Sequence, residues 1–142
     1  MVIKIIIATT ILLSVGISYY TGSKKKNRRL DFNPTRSWQL VSDGALLIDV
    51  RTTKEYEEGH AEGALHIPRG MLEFWLDPES SYYKANKIKD LKKMVLFCAL
   101  GLRSALATKS LVDMGFKNVA HVDGGFDALR KSGFQVVQKE KK

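Results

Sequence analysis

The sequence contains a single cysteine, Cys98, among its 142 residues. One cysteine cannot form a disulfide within the chain, and it cannot build the paired-cysteine sites that hold structural zinc. The sequence also lacks a G-x-S-x-G motif, a Walker-type phosphate loop and a dinucleotide-binding fingerprint. It therefore offers no support for a serine hydrolase, an NTPase or a dinucleotide-dependent enzyme.

Acidic residues are absent from residues 1–29, which hold six basic side chains. The formal net charge of +8 comes from this segment and from the charged tail at 139–142, because residues 30–138 contain 14 basic and 14 acidic side chains. An electroneutral folded part is not expected to carry a broad basic face, so we expect no nucleic-acid partner. The composition, 44% hydrophobic and 27% charged, is typical of one globular domain.

The N-terminal segment Ile5–Ser23 contains 19 residues without a charge. As a helix it would be about 28 Å long, which nearly matches a bilayer core of about 30 Å. The sequence therefore predicts a transmembrane anchor at 1–23, with a cleaved signal segment as the alternative. The basic linker at 24–36 then places the rest of a single-pass membrane protein in the cytosol. Signal cleavage would instead leave an exported or periplasmic domain.

Residues 30–142 alternate short apolar runs with helix-like segments. The pattern predicts an α/β domain with a mostly parallel central sheet and helices on both faces. Thr52 and Glu55 have the spacing of a capping box, which indicates a short helix ending near Gly59. Gly115 is expected to end a later helix. We predict strands at 45–49, 64–67, 94–97 and 119–122, and further helices at 70–76, 88–93, 104–114 and 126–131.

Cys98 follows the predicted strand at 94–97 and precedes the predicted helix at 104–114. Ligands of open α/β sheets collect beyond the carboxyl ends of the strands, where this cysteine falls. A short loop ahead of a helix can turn its backbone N–H groups inward and form an anion site, and Gly101 permits the backbone angles that this requires. Amide dipoles, the positive helix end and Arg103 would all favour thiolate over thiol. The sequence therefore predicts a reactive nucleophile at Cys98.

Three segments resemble the rhodanese-type sulfurtransferases. CALGLRS, at 98–104, is similar to the active-site loop C-x-x-G-x-R-S of that family. Leu46–Pro68 resembles its N-terminal signature, and Asn118–Val137 resembles its C-terminal signature. The resemblance covers the chain from about Ser37 to Val137 and implies a rhodanese-like domain at 37–138. This chain departs from the signatures at Ala61, where isoleucine is usual, and at Leu129, where tryptophan is usual.

The resemblance implies a role for each residue that matches the motifs. Cys98 would accept a sulfur atom and become a persulfide, and Arg103 would orient the donor or brace the loop. Asp49 and Arg51 would lie close to the loop, either as a structural ion pair or with a direct catalytic role. Backbone amides of the loop would bind the persulfide and the anionic donor; they belong to Ala99, Leu100, Gly101, Leu102 and Ser104.

The spacing from Cys98 to Arg103 spans six residues, whereas cysteine phosphatases with a related sheet use seven. The shorter loop favours sulfur transfer over phosphatase or arsenate reductase chemistry. The expected donor is thiosulfate-like, and the acceptor must be external because no second cysteine exists. Leu100 and Leu102 suggest that a protein or cofactor thiol docks on an apolar rim. We expect a monomer without metal or cofactor; a rhodanese-fold docking module with little catalysis is the alternative.

Overall fold

The computed structural model describes residues 31–32, 39–88 and 93–138. The described strands are β1 (Asp31–Phe32), β2 (Leu46–Asp49), β3 (His60–Ala61), β4 (Leu65–His66), β5 (Met94–Phe97), β6 (Val119–Val122) and β7 (Val136–Val137). The helices with both ends in the described part are α1 (Thr53–Glu58), α2 (Leu72–Leu76), α3 (Ala85–Ile88), α4 (Leu102–Asp113) and α5 (Gly125–Lys131), with a 3₁₀ turn at Arg69–Met71 before α2. Residues 39–42 are also helical.

Five strands form one parallel sheet in the order β1-β6-β5-β2-β4. All four residues of β5 and all four of β6 are buried, as expected for central strands covered on both faces. A second sheet pairs β3 with β7 in antiparallel orientation. The predicted α/β fold with a mostly parallel central sheet is therefore confirmed.

Two apolar clusters pack against opposite faces of the parallel sheet. One joins alternate residues of β2 and β5 to α2 and α4, and the other joins the intervening residues to α5. Ala61 and Leu129, the two departures from the family signatures, are both fully buried in the second cluster. The core therefore packs around these side chains, which are smaller than the isoleucine and tryptophan of the family signatures.

Most predicted elements are confirmed, although several of their ends differ by one or two residues. The helix predicted from Ser104 begins two residues earlier, because Gly101 has a φ of +101° that lets the chain turn directly into α4. The helix predicted at 88–93 is observed as Ala85–Ile88, and residues 89–92 lie outside the described part. Gly115 ends α4 as expected: its N–H and that of Phe116 donate to the carbonyls of Val112 and Leu111.

The predicted membrane segment and basic linker occupy residues 1–36. Apart from the two-residue strand β1, they lie outside the described residues, as does the tail at 139–142. Among the residues that the structure describes, no helix has the length and apolar character needed to cross a bilayer. The anchor and its orientation stay predictions.

Candidate active site

Cys98 lies immediately after β5, which is the central strand of the parallel sheet. Residues 98–104, called here the cysteine loop, connect this strand to α4 and include the first turn of the helix. The cysteine is only 1% exposed and belongs to the core cluster beneath α4. The fold therefore places the only thiol at the carboxyl edge of the sheet, where the sequence predicted a ligand site.

Backbone amides of the cysteine loop surround the sulfur. The N–H of Gly101 donates to Cys98 Sγ at 3.1 Å, and the Ser104 hydroxyl lies 3.6 Å from the same atom. Burial raises the pKa of the thiol, but the hydroxyl and the amides of Ser104, Gly101 and Leu100 lower it by a larger amount. The pKa of Cys98 is therefore below its ordinary value, and the thiolate is favoured as expected for a nucleophile.

Two further residues hold the cysteine loop from behind. The N–H of Phe126 donates to the carbonyl of Cys98 at 2.7 Å, and the N–H of Asp127 donates to that of Ala99 at 3.2 Å. With these carbonyls bound by the start of α5, the loop amides can face the sulfur. A Cβ at Gly125, whose φ is +58°, would clash with the carbonyl oxygen of Cys98.

The role of Gly125 was not predicted from the sequence. The glycine pair in the C-terminal signature was the available signal, since paired glycines often mark close approach of one backbone to another. The structure assigns this pair to support of the cysteine loop.

Arg103 is joined to Glu55 of α1 by a bidentate ion pair, with distances of 2.8 Å and 2.7 Å. Hydrogen bonds from Arg103 are the main cause that lowers the pKa of Glu55, which falls to about 2, while Glu55 raises the pKa of Arg103. The negative charge of Cys98 also raises the pKa of Arg103. The guanidinium thus links α1 to the cysteine loop beside the sulfur. Glu55 was predicted only as part of a capping box, which it also forms with Thr52.

Asp49 and Arg51 form a buried ion pair at the end of β2. Arg51 Nη2 donates to Asp49 Oδ2 at 2.7 Å and to the Gly59 carbonyl at 2.8 Å. The guanidinium also lies 4.0 Å from the centre of the Phe126 ring, whose backbone N–H supports the cysteine loop. Asp49 and Arg51 thus form the ion pair of the structural alternative, and a direct catalytic role stays a prediction.

The rim of the cysteine loop is apolar. Leu100 is 65% exposed and Leu102 is 77% exposed, and Leu106, one turn further along α4, is 68% exposed. Leu102 and Leu106 lie four residues apart and therefore share a helix face. The structure thus places both predicted rim leucines in contact with solvent and adds a third.

The three histidines lie in two places. His60 and His66 both stack on the ring of Tyr56, with centroid distances of 3.8 Å and 4.3 Å, whereas His121 lies in β6. Within the described part of the chain, no group of three or more histidine, cysteine or acidic side chains is arranged to hold a metal ion.

Two features identify the class of protein: a cysteine loop after the central strand of a parallel sheet, with six residues from Cys98 to Arg103, and a glycine pair that supports this loop. The chain belongs to the rhodanese-like domain family, which matches residues 33–132. The motifs quoted from the sequence identified this family, and the match confirms it.

The chain is similar to several individual proteins of this fold. Rhodanese-like domain-containing protein 17 of Arabidopsis thaliana is 30% identical over 131 residues, which is 85% of this chain and 81% of that protein. Thiosulfate sulfurtransferase GlpE of Actinobacillus pleuropneumoniae is 29% identical over 75% of this chain and 91% of its own length.

Among solved structures, a protein of unknown function from Rhodopseudomonas palustris, described as a possible tyrosine phosphatase, is 43% identical. It covers 76% of this chain and 83% of its own, with a TM-score of 0.67. The relatives therefore share the fold and include a named sulfurtransferase.

Proposed function

We propose that the protein is a rhodanese-type sulfurtransferase that carries sulfur on Cys98. The observation that carries the proposal is the hydrogen bonding of Cys98 Sγ to the amide of Gly101 and the hydroxyl of Ser104, which lowers the pKa of a buried thiol. Such a thiolate is a soft nucleophile suited to attack on a sulfane sulfur. The similarity to thiosulfate sulfurtransferase GlpE supports the same chemistry.

In the first half-reaction, the Cys98 thiolate attacks the outer sulfur of thiosulfate. The sulfur–sulfur bond of thiosulfate breaks, and sulfite leaves with the electron pair of that bond. The product is a persulfide anion on Cys98, with its negative charge on the outer sulfur. The loop amides and Arg103, which lies beside the sulfur, supply positive potential for the anionic donor and for the persulfide.

In the second half-reaction, an acceptor thiolate attacks the outer sulfur and Cys98 leaves as a thiolate. The acceptor leaves carrying the sulfur, and no net oxidation occurs. Because Cys98 is the only cysteine of the chain, the acceptor must be an external thiol or a nucleophile such as cyanide. The exposed Leu100, Leu102 and Leu106 favour an acceptor thiol with apolar neighbours over a fully hydrated one.

Phosphatase chemistry is the second candidate, because the relative from Rhodopseudomonas palustris is described as a possible tyrosine phosphatase. The loop disfavours it. Six residues from Cys98 to Arg103 leave a smaller space than the seven that cysteine phosphatases use around a tetrahedral phosphate. The backbone of Gly125 lies directly behind the loop, so the loop has no room to widen in that direction.

The proposal is tested by the intact mass of the full 142-residue chain, purified in mild detergent, before and after exposure to thiosulfate. A gain of one sulfur atom that cyanide removes, and that Cys98→Ser abolishes, is the expected result. A folded protein that gains no sulfur but releases phosphate from an aryl phosphate would favour the phosphatase. Absence of both activities would favour a docking module and contradict the proposal.

A further inference from the structure

His121 is a buried titratable side chain that the proposed chemistry does not use. It lies in β6, next to the central strand β5, and only 6% of it is exposed. Its Nδ1 atom lies 3.4 Å from the hydroxyl oxygen of Ser104, in the first turn of α4. The imidazole therefore contacts Ser104, and Ser104 in turn contacts the Cys98 sulfur.

The Ser104 hydroxyl has several partners for a single hydrogen. Its oxygen lies 3.1 Å from the carbonyl oxygen of Gly101, 3.6 Å from Cys98 Sγ and 3.4 Å from His121 Nδ1. A serine hydroxyl donates one hydrogen and accepts up to two. The Gly101 carbonyl already accepts the N–H of Ala105 at 3.0 Å. The direction of the hydroxyl hydrogen therefore decides whether the sulfur receives this bond.

The histidine nitrogen can act on this hydroxyl in two ways. An Nδ1 atom that carries no hydrogen accepts a hydrogen bond from the hydroxyl, so it competes with the sulfur for the hydroxyl hydrogen. A protonated Nδ1 donates to the hydroxyl oxygen, so the hydrogen stays available for the sulfur. Only the second arrangement joins Nδ1–H, hydroxyl and thiolate in one chain of donors that all point toward the negative charge.

We propose that His121 is a positioning residue for the sulfur centre, with Nδ1–H donating to Ser104 Oγ so that the hydroxyl donates to Cys98 Sγ. The catalytic benefit of this arrangement rests on the proposed function. The chain of donors would stabilise the thiolate that attacks the donor and the same thiolate when it leaves in the second half-reaction.

The test compares two polar substitutions of His121 that differ in where they place an amide. In His121→Asn the amide lies close to the position of Nδ1 and can donate to Ser104, whereas in His121→Gln it lies about one bond further out. The measurement is the pKa of Cys98, obtained from the ultraviolet absorbance of the thiolate as a function of pH. Cys98→Ser supplies the baseline, because the chain has no other thiol.

We expect His121→Gln and Ser104→Ala each to raise the thiol pKa enough to lower the thiolate fraction about tenfold at pH values below it. His121→Asn should leave it nearly unchanged. In the Ser104→Ala background, His121→Gln should add nothing, because its route to the sulfur has been removed. Thr108→Val is the matched control: this buried hydroxyl lies one turn after Ser104 and has no hydrogen-bond partner in the described structure.

Three results would overturn the inference: an unchanged thiol pKa in His121→Gln, equal shifts in the asparagine and glutamine variants, or an undiminished shift in the Ser104→Ala background. The titration requires no sulfur donor. A protein that fails to gain sulfur from thiosulfate but shows the expected shifts would contradict the proposed function while leaving the role of His121 intact.

Discussion

The ion pair between Glu55 and Arg103 provides a sharp test of how the cysteine loop is held. Glu55→Gln removes the charge but keeps the length of the side chain. Glutamine can also occupy this position of the capping box with Thr52, so the start of α1 is preserved. The substitution therefore weakens the ion pair between α1 and the cysteine loop without removing the capping box.

The expected cost follows from the pKa of Glu55, which falls from 4.5 to about 2 in the folded protein, chiefly through hydrogen bonds from Arg103. A lowering of that size corresponds to about 3 kcal/mol if taken in full. The Arg103 side chain is 40% exposed and that of Glu55 is 31% exposed, however, and water weakens the attraction between charges that are exposed to this degree. We therefore expect Glu55→Gln to reduce the free energy of unfolding by about 1 kcal/mol at neutral pH.

The pH dependence of this difference has a definite sign. Because the pKa of Glu55 is lower in the folded state, its contribution is complete above the unfolded value of 4.5 and is lost as pH falls through about 2. The difference in unfolding free energy between the natural protein and Glu55→Gln should be constant near neutral pH and shrink in acid. Urea unfolding followed by tryptophan fluorescence at several pH values measures it.

Glu73→Gln is the control, because Glu73 also forms an ion pair with an arginine: both of its carboxylate oxygens accept from Arg69 Nη1, and the Arg69 and Glu73 side chains are 34% and 35% exposed. We expect Glu73→Gln to lose less stability than Glu55→Gln, about 0.5 kcal/mol, as is typical of exposed ion pairs four residues apart on a helix. Only Glu55→Gln should slow persulfide formation, by about tenfold, since a displaced Arg103 no longer aligns the donor. Equal rates of persulfide formation in the two variants would refute the assignment of Glu55 as the anchor of Arg103.

Further predictions address the rest of the site. Gly125→Ala should lower the free energy of unfolding by more than about 2 kcal/mol and abolish persulfide formation. Gly133→Ala, where φ is +93° but the surrounding space is open, should lower it by only about 1 kcal/mol. Similar urea midpoints for the two variants would contradict the close contact between Gly125 and the cysteine loop. Asp49→Asn leaves the buried Arg51 without its carboxylate and should cost about 3–5 kcal/mol in urea unfolding. Leu100→Asn should slow transfer to thiols with apolar neighbours severalfold and spare transfer to cyanide; unchanged rates with every thiol tested would refute an apolar docking rim.

Features that depend on neighbouring residues could be predicted from the sequence. Four consecutive apolar residues mark β5, because a central parallel strand is buried on both faces. The capping box of α1 and the glycine end of α4 are likewise short-range patterns. The position of Cys98 at a strand end followed from these elements alone.

Contacts between distant parts of the chain could not be predicted in the same way. Glu55 and Arg103 are 48 residues apart, and their pairing depends on where α1 crosses the carboxyl edge of the sheet. The contact of Gly125 with Cys98 similarly depends on α5 beginning beside β5. Ser104 was assigned for its amide, but its hydroxyl contact with His121 required the order of β5 and β6. Such contacts are set by strand order, which no local pattern records.

The burial of Cys98 has a consequence for the size of its reactants. Cys98 is only 1% exposed and its sulfur contacts the amide of Gly101 within the cysteine loop, so in the proposed reaction a slender donor would reach the sulfur more readily than a bulky one. In the proposed persulfide, the reactive sulfur would lie one bond of about 2 Å beyond Cys98 Sγ. We therefore expect the rate of persulfide formation to depend more strongly on the size of the donor than the rate of sulfur release depends on the size of the acceptor. In the proposed function, the depth of the Cys98 sulfur would let one site take sulfur from a small ion and deliver it to a larger acceptor.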